Sequence, residues 1–402
     1  MLDIAIVGGG LCGLALARSL HAAPGLEQPL NWGLFEARDR LGGRVYTAAT
    51  PEGHAIDLGA TWFWPDHQPN VRRLVADLGL TALPQADDGR VLHLHDPSAA
   101  PQLVALQDNL QPAAEPGSPA RPGAVHGGAH RVQGGMGAML TTLARPLPGA
   151  RLHLAHRLVA LRDCGSHVEL TLSRGPLQYT ISARHVVLAM PPRLVAHTVS
   201  FEPPLPTDPA EALADTPTWM ATAAKAGYAY ARPFWQDKGL TGNAWVSHAH
   251  AMLAEVFDAS DATLGALAGF AALPASQRPA FARGRELLLE SQVVQLFGQP
   301  AADPEGLKAT FWQDWAEEDT TCTPRDLSDE DQGLGGHPPS APSTLNEGHW
   351  SGRLWFGGSE TATQSPGYLE GALGAAARLR RQVLAAMAST STVGTSTAGA
   401  TA

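Results

Sequence analysis

Cysteine is nearly absent from this chain: three in 402 residues, Cys12, Cys164 and Cys322, far apart and with no CxxC pair. That excludes a disulfide framework, a zinc knuckle and a redox dithiol, and fits a reducing, cytoplasmic setting. Charge is scarce as well, 16% of residues against roughly 25% in an average soluble domain. With 44% hydrophobic residues the chain can bury a sizeable core, which excludes global disorder. Basic residues are outnumbered, 28 Lys and Arg against 38 Asp and Glu, and a net charge of −10 repels nucleic-acid phosphates. The longest apolar run, Ala262 to Leu273, is about a dozen residues, where a membrane span needs roughly 20. Neither nucleic acid nor a membrane is therefore expected as a partner. No basic segment precedes Leu2 to Val7, which reads as a first strand and not as a signal peptide. The 16 histidines are scattered; His126 and His130, or His248 and His250, have no Glu or Cys at metal-ligand spacing, so no metal is expected.

The length suits two or three domains' worth of core. Ile4 to Val7 is a β-branched run followed at once by glycines and then by LCGLALARSL, whose Leu11, Leu14, Ala15 and Ala17 have helical spacing. Trp32 to Glu36 is a second strand ending in an acid, at a distance that fits a βαβ crossover and hence a parallel sheet. Gly8, Gly10 and Gly13 form GxGxxG between that first strand and helix, and Glu36 follows about 20 residues on, which together make a dinucleotide-binding fingerprint. Gly8 permits the turn, Gly10 the approach of a pyrophosphate, and Gly13 close packing of helix on strand, while Glu36 can accept from a ribose diol. After Glu36 comes ARDRLGGRV, with Arg38 and Arg44 beside the diphosphate path and Gly42 and Gly43 allowing backbone contact with it. Further on, Asp96 to His130 reads as a mobile excursion, His185 to Pro192 as a buried strand, Trp219 to Tyr230 as a strand of a second sheet, and Pro274 to Phe297 as mostly helix. Leu354 to Phe356 reads as a last strand, a helix from about Tyr368 to Met387 follows, and Ala388 to Ala402 reads as a disordered tail.

At ARDRLGGRV the chain comes to resemble the flavin-containing amine oxidases, the family of monoamine oxidases, polyamine oxidases and flavin histone demethylases. The resemblance continues through LGATWFWP (Leu58 to Pro65), GGMGAML (Gly134 to Leu140), VVLAMPP and WFGGSETATQSPGYLEGAL (Trp355 to Leu373). It implies an α/β fold in which a Rossmann-like FAD-binding domain is built from residues 1–64, 131–208 and 340–388. An α+β substrate-binding domain, 65–130 and 209–339, is inserted, and 389–402 remain as tail. The cofactor implied is FAD, held without a covalent bond by Gly8, Gly10, Gly13, Glu36, Arg38, Gly43, Arg44, Ala60, Thr61, Trp62, Val159, Met190, Gly358, Glu360, Tyr368 and Leu369. The helix that Tyr368 and Leu369 begin presents its positive end to charge developing on the flavin.

The chemistry implied is oxidation of a small-molecule primary or secondary amine, with O2 taking the electrons and hydrogen peroxide released. Lys225 stands eight residues before Pro233 in KAGYAYARPFW, the spacing of the family lysine that holds a water against the flavin N5. Tyr368 matches one wall of the family's aromatic cage. The second tyrosine is missing from TFWQDWAEEDTTCTPRD, which offers Trp312, Trp315, Thr321, Cys322 and Thr323; Trp315 and Cys322 are the cage candidates, unless the cage is incomplete or a Trp from elsewhere completes it. TTCT lacks the residues that flank a flavin thioether, so Cys322 is expected as a buried free thiol. The residues leave open an amino-acid oxidase or a C–C desaturase of the same fold, and a flavin-bearing binding protein without turnover. An amino-acid substrate calls for an arginine clamp, for which Arg232 and Arg325 are candidates. The substrate, the electron acceptor and the oligomeric state are open.

Overall fold

The structure, a computed structural model, describes residues 1–22, 29–50, 52–86, 89–104, 127–261, 264–331 and 339–395. The chain divides into two compact units, Met1–Gly43, Leu140–Trp219 and Gly336–Ala402 in the first, and Arg44–Met139 and Met220–Gly335 in the second.

The first unit is built on a sheet whose middle is parallel. Leu2–Val7 lies between Trp32–Phe35 and the C-terminal half of Leu177–Leu188; Leu354–Phe356 and Leu152–His153 extend the parallel set on either side. Apart from Leu152–His153, these strands are largely buried on both faces, which is why they read as unbroken apolar runs rather than alternating ones. The other half of Leu177–Leu188 pairs antiparallel with Val168–Arg174, which pairs with Arg157–Asp163. Val7, Leu170, Val186, Leu188 and Phe356 share one core. The closing helix runs Leu369–Thr395, so the disordered tail expected from Ala388 is overturned up to Thr395, and residues 396–402 lie outside the described residues. Alanine is the strongest helix former, and the intervening Ser and Thr cost too little per residue to stop a helix already nucleated; past Ala388, Gly394 is the first breaker met.

The second unit is a seven-stranded sheet in the order Leu307–Asp314, Ala224–Tyr230, Gly265–Ala271, Leu253–Asp258, Leu240–Val246, Arg90–Leu94, Gln102–Val104. Helix Arg285–Phe297 covers one face, where Leu289, Val293 and Phe297 pack with Ala226, Tyr228 and Tyr230. Alternation then turns Lys225, Gly227 and Ala229 to the opposite face, toward the cluster of Ile56, Leu58 and Phe257. A side chain on Gly227 would strike Ile56 at 2.9 Å, so the sheet and the Ala55–Asp57 strand pack closely there.

Several boundaries differ from the sequence reading, and residues 209–219, expected in the substrate-binding domain, lie in the first unit. Residues 44–64 and 131–139 lie in the second unit, not with the nucleotide segments, because the Asp57 carboxylate holds the Met136 amide and Trp315 holds the Leu58 carbonyl. The strand expected from Trp219 begins only at Ala224. Of the excursion expected over Asp96 to His130, residues 105–126 lie outside the described residues, and Gln102–Val104 and His130–Val132 are strands. No helix among the described residues is long and apolar enough to cross a membrane.

Candidate active site

The glycines of the first turn do different work. Gly8 has φ +108°, and a Cβ there would lie 2.3 Å from the Ala189 carbonyl oxygen; one on Gly13 would lie 1.9 Å from the Gly8 oxygen. Those two are demanded by the protein's own packing. Gly10 is not: its φ of −75° and ψ of −175° suit any residue, and a Cβ would meet only the Gly42 oxygen at 3.8 Å. Nothing among the described residues explains a glycine at position 10, whereas a diphosphate running past the backbone does. The helix it begins, Leu11–His21, has no side-chain cap and no acid in its first turn, leaving amide N–H groups for an anion. Glu36 is 4% exposed; one oxygen accepts the Gly9 N–H at 2.7 Å and the other the Arg38 N–H at 2.9 Å, so the carboxylate is braced with lone pairs to spare for hydroxyls. Arg38 stays beside it, with Nη1 3.9 Å from Oε1. The Gly42 N–H donates to the Gly9 oxygen at 2.9 Å, holding the second glycine loop and Gly43 beside the first.

The C-terminal motif meets this turn. The Gly358 N–H donates to Cys12 Sγ at 3.4 Å, and burial pushes that thiol up to about 11, so it stays a neutral acceptor. Gly358, at φ +97°, lies against the Met190 oxygen. Glu360 is fully buried and accepts from the Trp219 N–H and the Ser359 hydroxyl, so its carboxylate braces the loop. Tyr368 precedes helix Leu369–Thr395 and Leu369 opens it, both as expected from the sequence. Val159 sits at a bulge: Leu158 and Ala160 face consecutive residues of the next strand, so its backbone is left out of that ladder.

In the second unit the sharpest feature is Lys225. The sequence has only three lysines among its 28 basic side chains, and this one is 4% exposed on a strand buried throughout. Its ammonium donates to the Gly59 carbonyl at 2.7 Å and the Thr61 hydroxyl at 2.6 Å, and lies 4.4 Å from the Phe270 ring centre, 5.6 Å from Phe257 and 5.7 Å from Trp62. Trp62 is itself fixed by donating to Gln85 at 2.7 Å. An ammonium held by neutral oxygens and ring faces alone is expensive to bury. Burial pushes its pKa below the ordinary lysine value, against the pull of Asp57 and Glu255. Gly59, Thr61 and Trp62 thus form one wall of the lysine's pocket, and the N–H of Ala60 between them is held by the Arg44 carbonyl at 3.2 Å.

The two tentative cage residues, Trp315 and Cys322, are both buried. Trp315 is 4% exposed and its indole N–H is spent on the Leu58 carbonyl at 3.0 Å. Cys322 is buried, and burial together with Asp326, Glu330 and Asp314 pushes its thiol up to about 12. Tyr368 has Trp219 as an aromatic neighbour, with ring centres 6.2 Å apart and planes at 49°. Sequence reasoning placed Trp219 on a strand; the signal that could have found it is Gly367, where any side chain would strike the indole. Burial keeps the Cys322 thiol protonated and so a poor nucleophile toward a flavin, and acid precipitation of the holoprotein is expected to release all the FAD into the supernatant, read by its absorbance. Yellow colour left in the pellet would overturn this. Among the described residues, three metal-type donors approach one another only at Cys164, His167 and Glu169, and Arg162 occupies Glu169.

The profile of the flavin containing amine oxidoreductases matches residues 98–384, and that of the NAD(P)-binding Rossmann-like domain matches residues 6–78. Amine oxidase [flavin-containing] B of Sus scrofa is 25% identical over 476 residues, spanning 96% of this chain and 86% of the relative. Amine oxidase [flavin-containing] A of Equus caballus is 23% identical over 477 residues, with the same coverage. Among solved structures, wild-type putrescine oxidase bound to putrescine has a TM-score of 0.71 at 20% identity, covering 96% of this chain and 99% of the other. Cyclohexylamine oxidase from Brevibacterium oxydans has a TM-score of 0.71 at 21% identity, covering 96% and 98%. These two share the α/β fold. The cradle around Gly10, Glu36 and Gly358 suits FAD, and the chain belongs to the flavin containing amine oxidoreductase family, as an FAD-dependent enzyme that oxidises amines.

Proposed function

We propose that this enzyme takes a hydride equivalent from the α-carbon of a primary or secondary amine, leaving an imine that water hydrolyses to an aldehyde or ketone. When bound, FAD supplies the two-electron acceptor that returns to its oxidised form by giving both electrons to O2, with two protons, as hydrogen peroxide. The observation that carries this reading is Lys225, a buried cation with no direct anionic partner among its described contacts. Such a group stabilises negative charge that develops during the reaction, as on O2 when it accepts an electron, and the match to the family lysine gives it that part. Tyr368, with Trp219 at its side, orients the amine by its ring face. The first turn of helix Leu369–Thr395 favours negative charge arriving at the cofactor. No side chain need act as a strong base, because an amine that enters neutral has already lost its proton to solvent.

An amino-acid substrate is the less favoured reading. Arg232, one proposed carboxylate clamp, has a 63% exposed side chain and is paired with Asp237 at 2.7 Å. The test is a panel of amines added anaerobically while flavin absorbance is followed, then O2 with peroxide measured. Bleaching by at least one amine and peroxide equal to the flavin reduced is expected. Bleaching by amino acids alone would replace this reading, and no bleaching would leave a binding protein.

A further inference from the structure

We propose that Asp57 is a positioning residue that keeps Lys225 protonated, acting across a small polar cavity whose Thr61 and Phe257 walls also hold the lysine's ammonium. This rests on the reading of Lys225 above only for its consequence in turnover. The geometry is that of two opposite charges, both buried, each with neutral hydrogen-bond partners. Lys225 is held by Gly59 and Thr61. Asp57, 6% exposed, accepts from the Thr47 hydroxyl and from the Met136 N–H at 2.9 and 3.1 Å. Thr47 in turn accepts the Gly137 N–H at 2.8 Å, so the pair caps the helix Met136–Ala144. The Thr61 hydroxyl, which accepts the lysine's N–H, lies 3.3 Å from the Gly59 oxygen and 3.5 Å from the Asp57 main-chain oxygen. The cavity bordered by Asp57, Thr61, Arg131 and Phe257 admits about one water.

The other charges around the pair are few. Two strands away in the same sheet, Glu255 stands in register with Phe270, which stands in register with Lys225, so the three share a row on one face with the ring between the charges. Gln313, on the other side of Lys225, is uncharged. Arg131 faces Asp57, and also feels Asp258 and Asp261. Asp57 is the stronger of the two acids acting on Lys225. Isolated buried charges are costly, and in a low-dielectric interior opposite ones help each other without touching.

The three lysines make the test direct. Protein loaded with FAD and labelled with 13C at lysine Cε gives three signals, and Lys238 and Lys308, both exposed, serve as references. Lys225→Met assigns the third. In the wild type the Lys225 signal titrates below the references and carries a second, acid-side inflection as Asp57 takes up its proton. In Asp57→Asn the inflection disappears and the Lys225 midpoint falls by about a pH unit or more, a tenfold loss of proton affinity; Asp57→Glu restores both. A single-step wild-type curve, or an unchanged midpoint in Asp57→Asn, overturns the proposal. The wild-type curve decides it even should the Asn variant not fold. Turnover is not needed for this readout, so a Lys225→Met enzyme with normal O2 reactivity would remove the lysine's catalytic part and leave the Asp57 result standing.

Discussion

Replacing Lys225 by Met slows reoxidation by O2 by about 10²-fold or more, the scale on which a lost electrostatic contact to developing charge is felt. Anaerobic reduction by the amine changes far less. Stopped-flow absorbance resolves the two halves, and equal rates of both in wild type and variant would remove Lys225 from the mechanism. Met is chosen because its unbranched side chain fills the same space between Phe270, Phe257 and Trp62 while shedding the charge. The variant also tests the energetics. Burial holds the folded-state pKa of Lys225 below its unfolded value. Between those two pKa values the unfolded chain binds the extra proton, so this group makes wild-type stability rise with pH across that window. Below the window the folded state bears the full cost of keeping the ammonium charged. Lys225→Met therefore melts at or above the wild-type temperature at neutral pH and lacks that alkaline rise. A variant that melts much lower would mean the ammonium's hydrogen bonds outweigh its desolvation.

Gly10→Val is expected to weaken FAD binding by roughly 10- to 100-fold, the effect of about 1–3 kcal/mol of overpacking against the cofactor. It lowers the apoprotein's melting temperature only slightly, since position 10 has ordinary dihedrals and a Cβ there meets only the Gly42 oxygen, at 3.8 Å, while a valine is a poorer helix N-cap than glycine. Gly13→Ala behaves oppositely. Its new methyl would lie 1.9 Å from the Gly8 oxygen, so strand and helix must part and the apoprotein itself loses stability. Fluorescence titration with FAD and thermal melts of the apoproteins separate the two. Unchanged FAD affinity in Gly10→Val would show that the diphosphate runs elsewhere.

The nucleotide half was legible because its requirements are local. Gly8, Gly10, Gly13 and Glu36 act within one βαβ unit, and the composition of one short segment reports them. Lys225 was legible only through its distance from Pro-Phe-Trp. The second sheet was mostly hidden, with one of its seven strands placed. GALAGFA, at Gly265–Ala271, has small residues buried along most of its length and shows neither alternation nor a run of large side chains. Asp57 was missed for another reason. Its partners Thr47 and Met136 are 10 and 79 residues away, so nothing near DLG marks it as charged and buried. Trp219 escaped because the sequence alternates through it toward a strand that starts five residues later.

One strand has an influence beyond its length. Leu177–Leu188 belongs to an antiparallel hairpin at its start and to the parallel nucleotide sheet at its end. Just past that end, the Ala189 N–H donates to Val7 and the Gly357 N–H to Leu188, so both glycine loops, from the two extremes of the chain, moor on the same few atoms. Sliding this strand by a single position would exchange its two faces and carry the moorings with it. A one-residue deletion in the hairpin between Leu177 and Ser182 would thus cost the enzyme its cofactor without touching any group that binds it.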